Sequence, residues 1–380
     1  MKTTTAKATT GDVLLDADRP VLNETLLVGL DLGTNTSCLM ATPVGNNGSG
    51  EAVTRELIPT VVGYANDNVL NGVLPGDAKV LFGRLALKHA KNLRVVRPMK
   101  GGVIHDQRAA RLFAGHLFEV LNQANRNEIR AVIGMPASAD LLARENARTA
   151  FRGIFNKVLF VPEPFLAALG YRNDARIADA NYHDPVLNSL YVDIGAGSTD
   201  VCLVQGHFPT AHDQLSVPFA GDAVDQIIFD SILSEYPDCG LTLARVRELK
   251  EKNSWVLTAD GATPALAHVL VGGKSRQLDV TKHVGAGCQA LLQKVFEMTR
   301  ELITRAESDT VAELLQNVIV TGGGSLTKGF GVALQTRLLE EGFENPRVQV
   351  LGENYKDFVA LGALKTARRA RENQWQTLLG

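Results

Sequence analysis

Residues 27–39 read Leu-Val-Gly-Leu-Asp-Leu-Gly-Thr-Asn-Thr-Ser-Cys-Leu, and residues 190–203 read Leu-Tyr-Val-Asp-Ile-Gly-Ala-Gly-Ser-Thr-Asp-Val-Cys-Leu. Each stretch is an apolar run that ends in aspartate, then a turn of small and hydroxyl-bearing residues, then another apolar run. Asp31 corresponds to Asp193, and the offset of 162 residues is about the size of a domain and too long for a solenoid repeat. The repeat therefore predicts two related halves.

The two turns have the composition of phosphate-binding loops. The first turn consists of Gly33, Thr34 and Asn35, and the second of Gly195, Ala196 and Gly197, followed by Ser198. Small residues let backbone N–H groups approach phosphate oxygens, and a carboxylate at a strand end can hold a hydrated divalent cation. A single copy is more typical of a β-hairpin. Duplication with the aspartate retained favours a nucleotide site gripped from both sides.

Two other stretches match phosphate-binding motifs less well. Gly273-Lys274-Ser275 has His268 where a Walker loop requires glycine, which indicates a surface turn. Residues 285–290 fit a degenerate dinucleotide pattern, but charged and polar residues interrupt the apolar run before them. That stretch therefore predicts an ordinary helix start, with a helix over about 286–305.

The composition excludes several classes of protein. With 380 residues, 45% of them hydrophobic, the chain suits two domains or one bilobed unit. A net charge of -2 gives no general attraction for nucleic acid or an anionic membrane. The cysteines lack C-x-x-C spacing and predict buried, reduced thiols rather than a zinc site or disulfides; they are Cys38, Cys202, Cys239 and Cys288.

The ends of the chain carry no membrane or export signal. Residues 1–24 are rich in Thr, Ala and Asp without a helix or strand period, which predicts a flexible leader. No run of about 18 apolar residues and no basic-then-hydrophobic signal order are present. We expect a soluble intracellular protein that neither inserts into a membrane nor binds nucleic acid.

Strand and helix patterns alternate between the two turns. The predicted strands cover residues 57–64, 128–136 and 157–161. One predicted helix begins with residues 80–90, and two others cover 107–125 and 139–155. Residues 58–100 resemble a small insertion between elements of the first half. The alternation predicts an α/β core with ligand sites beyond the strand ends.

Acidic residues stand at the start of two further helices. Glu163 follows Pro162, where an acidic side chain stabilises a helix by simple capping. The functional interpretation places Glu163 above the phosphates, orienting the attacking water. The spacing alone leaves these two interpretations equal. Asp222 lies near the N-cap of a helix that begins after a glycine turn.

A third strand, near residue 320, ends in three successive glycines: Gly322, Gly323 and Gly324. Such a run lets a flat ring lie against the main chain, and the following helix offers its N-terminus to phosphate. A closing helix is predicted at 357–367. Its small residues, Ala360, Gly362 and Ala363, permit a second helix to approach closely.

Five landmarks together resemble the actin, Hsp70 and sugar-kinase superfamily in order and spacing. They are Asp31-Leu-Gly-Thr, Glu163-Pro, Asp193-Ile-Gly-Ala-Gly, Gly322-Gly-Gly-Ser and Ala360-Leu-Gly-Ala. The resemblance spans about residues 26–370 and implies an actin-like ATPase: two ribonuclease-H-like lobes, with ATP and Mg²⁺ in the cleft between them. Lobe I would comprise 25–57, 101–180 and 353–380, with 58–100 inserted; lobe II would comprise 181–221 and 281–352, with 222–280 inserted.

The resemblance also implies roles for individual residues. Asp31 and Asp193 would hold hydrated Mg²⁺, and the two turns, with Ser198 and Asp222, would bind the nucleotide. The Glu163-Pro164 segment is similar to the family's Asn-Glu-Pro helix, which favours the catalytic interpretation of Glu163 beside Asp193. Other implied contacts to the nucleoside are Lys250, Glu251 and the three glycines. Asn35 departs from the family pattern, because several relatives carry glycine there.

Within this superfamily, residues 58–64 and 97–106 resemble the bacterial actins of the MreB type, and most closely the magnetosome actins. This resemblance implies a cytoplasmic cytoskeletal filament that polymerises on binding Mg-ATP and disassembles on hydrolysis to ADP and phosphate. Its partners would be further copies of the chain and magnetosome-associated proteins. The filament would lie alongside magnetosome membranes and organise magnetosome chains.

Two other activities are compatible with the same motifs. A small-molecule kinase on this scaffold would use Glu163 or Asp222 as its acidic base and would need a substrate pocket. A chaperone-type ATPase ranks last, because the chain ends where a peptide-binding domain would begin. The glycine turns themselves accept either ATP or GTP.

Overall fold

The structure is a computed structural model that describes residues 25–44, 54–121, 128–136, 139–256, 262, 264–271, 274–352 and 355–378. The predicted leader, residues 1–24, lies outside the described residues.

Strands and helices alternate through the described chain. The strands are β1 (Thr25–Asp31), β2 (Thr36–Pro43), β3 (Thr54–Pro59), β4 (Val62–Ala65), β5 (Val80–Phe82), β6 (Leu93–Val96), β7 (Met99–Lys100), β8 (Val103–Ile104), β9 (Glu128–Met135), β10 (Lys157–Pro162), β11 (Ser189–Ile194), β12 (Thr199–Val204), β13 (Gln214–Val217), β14 (Leu266–Val271), β15 (Lys274–Asp279), β16 (Val318–Thr321), β17 (Val348–Val350) and β18 (Gln376–Thr377). The helices are α1 (Gly83–Lys88), α2 (Gln107–Leu121), α3 (Leu141–Phe151), α4 (Glu163–Tyr171), α5 (Gly221–Glu235), α6 (Leu243–Asn253), α7 (Thr281–Ile303), α8 (Val311–Leu315), α9 (Phe330–Glu340) and α10 (Tyr355–Arg369).

Two sheets with the same local order contain the duplicated stretches. The first sheet has the order β18-β10-β9-β1-β2-β3, and the second has the order β13-β12-β11-β16-β17. In each, the strand that ends in the duplicated aspartate pairs antiparallel with the next strand and parallel with a later one. The predicted relationship between the two halves is therefore present in strand order as well as in sequence.

The central strands of both sheets are continuous apolar runs, the pattern of strands that are covered on both faces. The first sheet packs against α2 and α3 through a core that includes Phe113, Leu117 and Phe151. On its other face, the core formed with α4 and α10 also takes in Tyr191 and Ile319 of the second sheet. Helices α4 and α10 therefore lie between the two sheets.

Small residues allow α4 and α10 to touch. A methyl group added at Gly362 would lie 1.7 Å from the carbonyl oxygen of Leu166, and one at Gly170 would lie 1.9 Å from that of Phe358. The same crowding holds for β1, where a methyl at Gly29 would lie 2.1 Å from the Ala360 oxygen. The close helix approach predicted for the closing helix is confirmed.

The predicted insertion at residues 58–100 contains a small three-stranded sheet, in the order β5-β4-β6. The prediction of one strand over 57–64 is wrong, because β3 ends at Pro59 in the large sheet while Val62 pairs with Phe82 and Val96 in the small one. The helix predicted from residue 80 begins at Gly83, because the preceding residues form β5. The assignment of segments to lobes stays a prediction.

Two other helix boundaries differ from the sequence prediction. Helix α3 is shorter than 139–155, because Asp140 caps it by accepting from the backbone N of Ala143 at 2.7 Å. Helix α7 begins at Thr281, so residues 285–290 lie inside the helix rather than at its start. His283, a polar residue in the predicted apolar pattern, is buried. Its Nδ1 shares a hydrogen bond of 2.7 Å with Ser231 Oγ.

Three further predictions concern the cysteines, membrane-spanning helices and residues 273–275. All four cysteines are buried and free, as predicted. No helix in the described ranges is both long and apolar enough to span a membrane. Of the surface turn predicted at 273–275, Gly273 lies outside the described residues, and Lys274 and Ser275 open strand β15, which pairs with β14.

Candidate functional site

Both predicted phosphate turns connect antiparallel strands. The first joins β1 to β2, where Asp31 pairs with Cys38, and the second joins β11 to β12, where Asp193 pairs with Asp200. The hairpin interpretation and the ligand-binding interpretation are therefore compatible. In each copy the hairpin places a carboxylate at the strand end and exposes the backbone of the turn.

The two turns touch each other. A methyl group added at Gly197 would lie 2.6 Å from Thr34 Oγ1 and 2.9 Å from the backbone N of Gly101. Gly102, in the turn between β7 and β8, donates its backbone N–H to Thr34 Oγ1 at 3.1 Å. Since only glycine allows this approach, the sequence of the turns fixes how closely the two halves meet.

A cavity of about 370 Å³, which we call the cleft, lies between the turns. Every site residue predicted from the sequence lines it: Asp31, Gly33, Thr34, Asn35, Glu163, Asp193, Gly195, Ala196, Gly197, Ser198, Asp222, Lys250, Glu251, Gly322, Gly323 and Gly324. Elements far apart in the chain thus contribute to one concave, polar site. Their individual roles stay predictions.

Partly buried carboxylates line the floor of the cleft. Burial raises the pKa of Asp31 to about 7, partly offset by the charge of Lys356. Burial, then the charges of Asp31 and Asp200, raise the pKa of Asp193 to about 8. Burial and the same three aspartates raise the pKa of Glu163 well above its ordinary value. Negative charge on these carboxyl groups is therefore costly in this structure, and a bound cation would offset that cost.

The donor set suits a hydrated Mg²⁺ ion. Carboxylate oxygens are hard ligands, and Mg²⁺ usually keeps several waters while contacting one or two carboxylates. Among the residues that the structure describes, no group of three or more His, Cys, Asp or Glu side chains is arranged to enclose a metal ion directly. Asp31 and Asp193 thus fit an ion held partly through water, as the resemblance implied.

Glu163 begins α4 directly after Pro162, at the carboxyl end of β10. Its side chain lines the cleft, and a methyl added at Gly134 of β9 would lie 3.0 Å from Glu163 Cγ. Helix capping alone would favour the charged carboxylate, but burial and the neighbouring aspartates raise its pKa instead. The position fits a group that acts inside the cleft.

Helix α6 is fixed to the start of α5 by charge pairs. Arg247 contacts Asp222 at 2.6 Å and Asp225 at 2.7 Å. Lys250 Nζ lies 2.7 Å from Asp225 Oδ1 and donates to the Gly221 oxygen at 2.8 Å. Asp222, predicted to contact the nucleotide, is therefore paired with an arginine, and Lys250 with a buried aspartate.

Sequence reasoning missed three residues of the site. Arg247 and Asp225 line the cleft and make the ion pairs that hold α6. Asp200 is buried on β12, where Ser198 Oγ donates to it at 2.9 Å. The signal was present in the sequence, because the second stretch has Thr-Asp where the first has Ser-Cys.

The three glycines lie against the end of β11. A methyl at Gly322 would lie 2.4 Å from Asp193 Oδ1, and one at Gly324 would lie 2.2 Å from Ile194 Cγ2. Gly322 also has a φ of 82°, which favours glycine. A 3₁₀ turn over Gly323–Leu326 follows the strand, and the next helix, α9, begins at Phe330. A contact between the N-terminus of that helix and phosphate stays a prediction.

Comparisons with known proteins identify relatives along nearly the whole chain. The sequence model of the family described as MreB/Mbl protein matches residues 25–373. The chain is 28% identical over 358 residues to the actin-like protein MamK of Paramagnetospirillum magneticum, covering 93% of this chain and 95% of that protein.

Solved structures of related proteins superpose on the chain. A structure described as a MamK double helical filament matches with a TM-score of 0.80 at 27% identity, covering 91% of this chain and 100% of that one. A non-polymerising MamK mutant bound to AMPPNP matches with a TM-score of 0.65 at 26% identity, covering 91% and 99%. The predicted actin-like α/β fold is confirmed.

Proposed function

The chain belongs to the MreB/Mbl family, and we propose on that basis that it is a bacterial actin-like ATPase. It binds Mg-ATP in the cleft and assembles into filaments. The observation that carries this proposal is the duplicated aspartate-ended hairpin, whose two copies meet across one cavity. A ligand held by both turns ties the two halves of the chain together.

The polyphosphate is held by the two turns. Residues 33–35 and 195–197 line the cleft from its two sides, and their small side chains leave room for phosphate oxygens. Asp31 and Asp193 would hold the hydrated Mg²⁺, which would supply positive charge to offset the phosphates and the acidic groups. Lys250, Glu251 and the glycines 322–324 line the part of the cleft that would hold the nucleoside.

Glu163 orients the water that attacks the terminal phosphate. It lies among Asp31, Asp193 and Asp200, so its own charge depends on the cation and nucleotide that offset theirs. The cleft therefore provides a positioned acid–base group for hydrolysis of ATP to ADP and phosphate.

Filament assembly follows from the relation between nucleotide and lobes. One relative has been solved as a double helical filament, and a related mutant that does not polymerise binds AMPPNP. In this chain, ATP held by both turns fixes the angle between the lobes, and head-to-tail contacts of that closed form produce a non-closing polymer. Hydrolysis removes one phosphate and weakens the filament.

The proposed cellular role is inferred from the relatives called MamK. The chain forms a cytoplasmic filament that contacts magnetosome-associated proteins and organises magnetosome chains. This role is tested by mixing assembled filaments with purified magnetosomes and imaging both. Specific alignment along filaments supports the role, whereas no association in any nucleotide state contradicts it.

Sedimentation tests the biochemical proposal. The full chain and a version without residues 1–24 are centrifuged with Mg-ATP, with Mg-AMPPNP, with Mg-ADP and without nucleotide, and the pellets are imaged by negative stain. We expect filaments in the pellet with ATP and AMPPNP, and fewer with ADP. A chain that stays in the supernatant under every condition contradicts the proposal.

A further inference from the structure

Two arginines from different halves of the chain converge on the side chain of Asn35. Arg97, just after β6, donates from Nη1 to Asn35 Oδ1 at 2.5 Å. Arg247 of α6 donates from Nη1 to the same oxygen at 3.4 Å. One neutral carbonyl oxygen therefore serves two guanidinium groups at the edge of the cleft.

The positive charges at this point are unevenly compensated. Arg247 is paired with Asp222 and Asp225. Within the described part of the chain, no carboxylate lies at ion-pair distance from Arg97. Partial loss of hydration and then the charge of Arg247 lower the pKa of Arg97, against the weaker opposing effect of Asp222. Repulsion between the two arginines thus tends to separate Arg97 from Arg247 at the opening of the cleft, which we call its mouth.

The excess positive charge adjoins the place where phosphate is expected. Asn35 is the last residue of the first turn, and both Asn35 and Arg247 line the cleft. Negative charge on a bound polyphosphate would offset the repulsion between the arginines. More negative charge in the cleft would therefore let Arg97 and Arg247 stay closer together.

We propose that Arg97, Asn35 and Arg247 form a latch across the mouth of the cleft that responds to the charge of the bound nucleotide. The inference rests on the proposed nucleotide-binding function and adds to it a means of telling a triphosphate from a diphosphate. When a triphosphate is bound, its higher negative charge keeps both arginines hydrogen-bonded to Asn35, and the mouth closes. The side chain of Asn35 supplies the shared acceptor.

Calorimetry with AMPPNP and ADP, each with Mg²⁺, tests the latch through affinity rather than activity. In Arg97→Gln, the preference for AMPPNP over ADP should fall by about fivefold, because one of the two charges that favour the triphosphate is lost. Arg97→Lys keeps the charge and should stay within about twofold of the wild type. Asn35→Gly removes the acceptor and should lower the preference as Arg97→Gln does.

A matched control is available three residues away. Arg94 is exposed on β6, and its guanidinium lies 4.7 Å from the centre of the Tyr64 ring, whereas Arg97 contacts Asn35. Arg94→Gln should leave the nucleotide preference unchanged. Added salt should weaken the preference of the wild type and leave that of Arg97→Gln nearly constant, because salt screens exposed charges.

The outcomes separate the latch from the proposed function. A wild-type chain that binds neither nucleotide contradicts the proposed function and the latch together. A chain that binds both, with the same preference in the wild type, Arg97→Gln and Asn35→Gly, overturns the latch alone. Equal losses in Arg97→Gln and Arg94→Gln also overturn it, because general surface charge would then explain the effect.

Discussion

Asp31 and Asp193 end corresponding strands of the two sheets and line the same cleft. Burial, and then the nearby charge of Asp31, raise the pKa of Asp193 to about 8. The duplicated stretch thus brings two acidic groups, distant in the chain, into electrostatic contact. Such an arrangement is costly without a cation, and it therefore has consequences that can be measured.

Replacing Asp193 by alanine should abolish hydrolysis while leaving assembly possible. The change removes one of the two carboxylates that fit hydrated Mg²⁺, and loss of such an anchor should slow phosphate release by about 100-fold or more. Filaments that form should then persist, which sedimentation over time would detect. Asp179→Ala is the control, because Asp179 is exposed and pairs with Arg176. Normal phosphate release from Asp193→Ala would contradict the assignment.

Replacing Glu163 by glutamine should separate hydrolysis from binding. The amide keeps the shape of the side chain but cannot accept a proton, so we expect hydrolysis to slow by about 100-fold. The dissociation constant for AMPPNP, measured by calorimetry, should change by less than about threefold. Glu119→Gln, at a side chain that is 76% exposed on α2, should change neither. Equal losses of binding and hydrolysis would return Glu163 to a capping role.

The nucleotide-free, metal-free protein should lose stability as the pH rises. The folded-state pKa values of Asp31 and Asp193, about 7 and about 8, lie above the ordinary 3.8. Between these limits the folded chain keeps protons that the unfolded chain releases. The free energy of unfolding should therefore fall by about 1.4 kcal/mol per pH unit for each acid that stays protonated.

Urea unfolding in EDTA at pH 5 to 8 measures this slope. Asp193→Asn should show a shallower decline than the wild type, because one of the acids with a raised pKa no longer titrates. Mg-ATP should restore stability most at the high end of the range. A wild-type stability that rises with pH over this window would show that the two carboxylates are already charged in the folded chain.

Replacing Gly362 by alanine should separate α10 from α4. The added methyl would lie 1.7 Å from the Leu166 carbonyl oxygen, and a backbone atom cannot be displaced cheaply. We expect a loss of about 3 kcal/mol or more in the free energy of unfolding. Gly115→Ala is the matched control in α2, since its methyl would have no neighbour within 4 Å. That control should gain roughly 0.5 to 1 kcal/mol, and similar effects from both changes would contradict the packing argument.

The sequence predicted the site better than it predicted the insertions. The duplicated stretches fixed the strand ends and turns, because an aspartate followed by small residues has few structural uses. The break between Pro59 and Val62 was missed, since residues 57–64 are mostly apolar and their strand partners are what distinguish the two sheets. The start of α7 was also missed, because His283 has the polarity of a surface residue but is buried against Ser231.

Ion pairs within the cleft were beyond prediction for a similar reason. Arg247 and Asp225 lie on different helices, and only the packing of α6 on α5 brings them together. The same holds for Arg97 and Asn35, which are far apart in the chain. A sequence motif can specify which backbone approaches a ligand, whereas charge partners depend on tertiary contacts.

An experimental structure of the chain with Mg-AMPPNP tests the central claim most directly. Density for the triphosphate should lie between residues 33–35 and 195–197, with the cation between Asp31 and Asp193 and the nucleoside beside glycines 322–324. Nucleotide bound at any other place, or the two aspartates on separate surfaces, would contradict the account of the cleft and of the filament built on it.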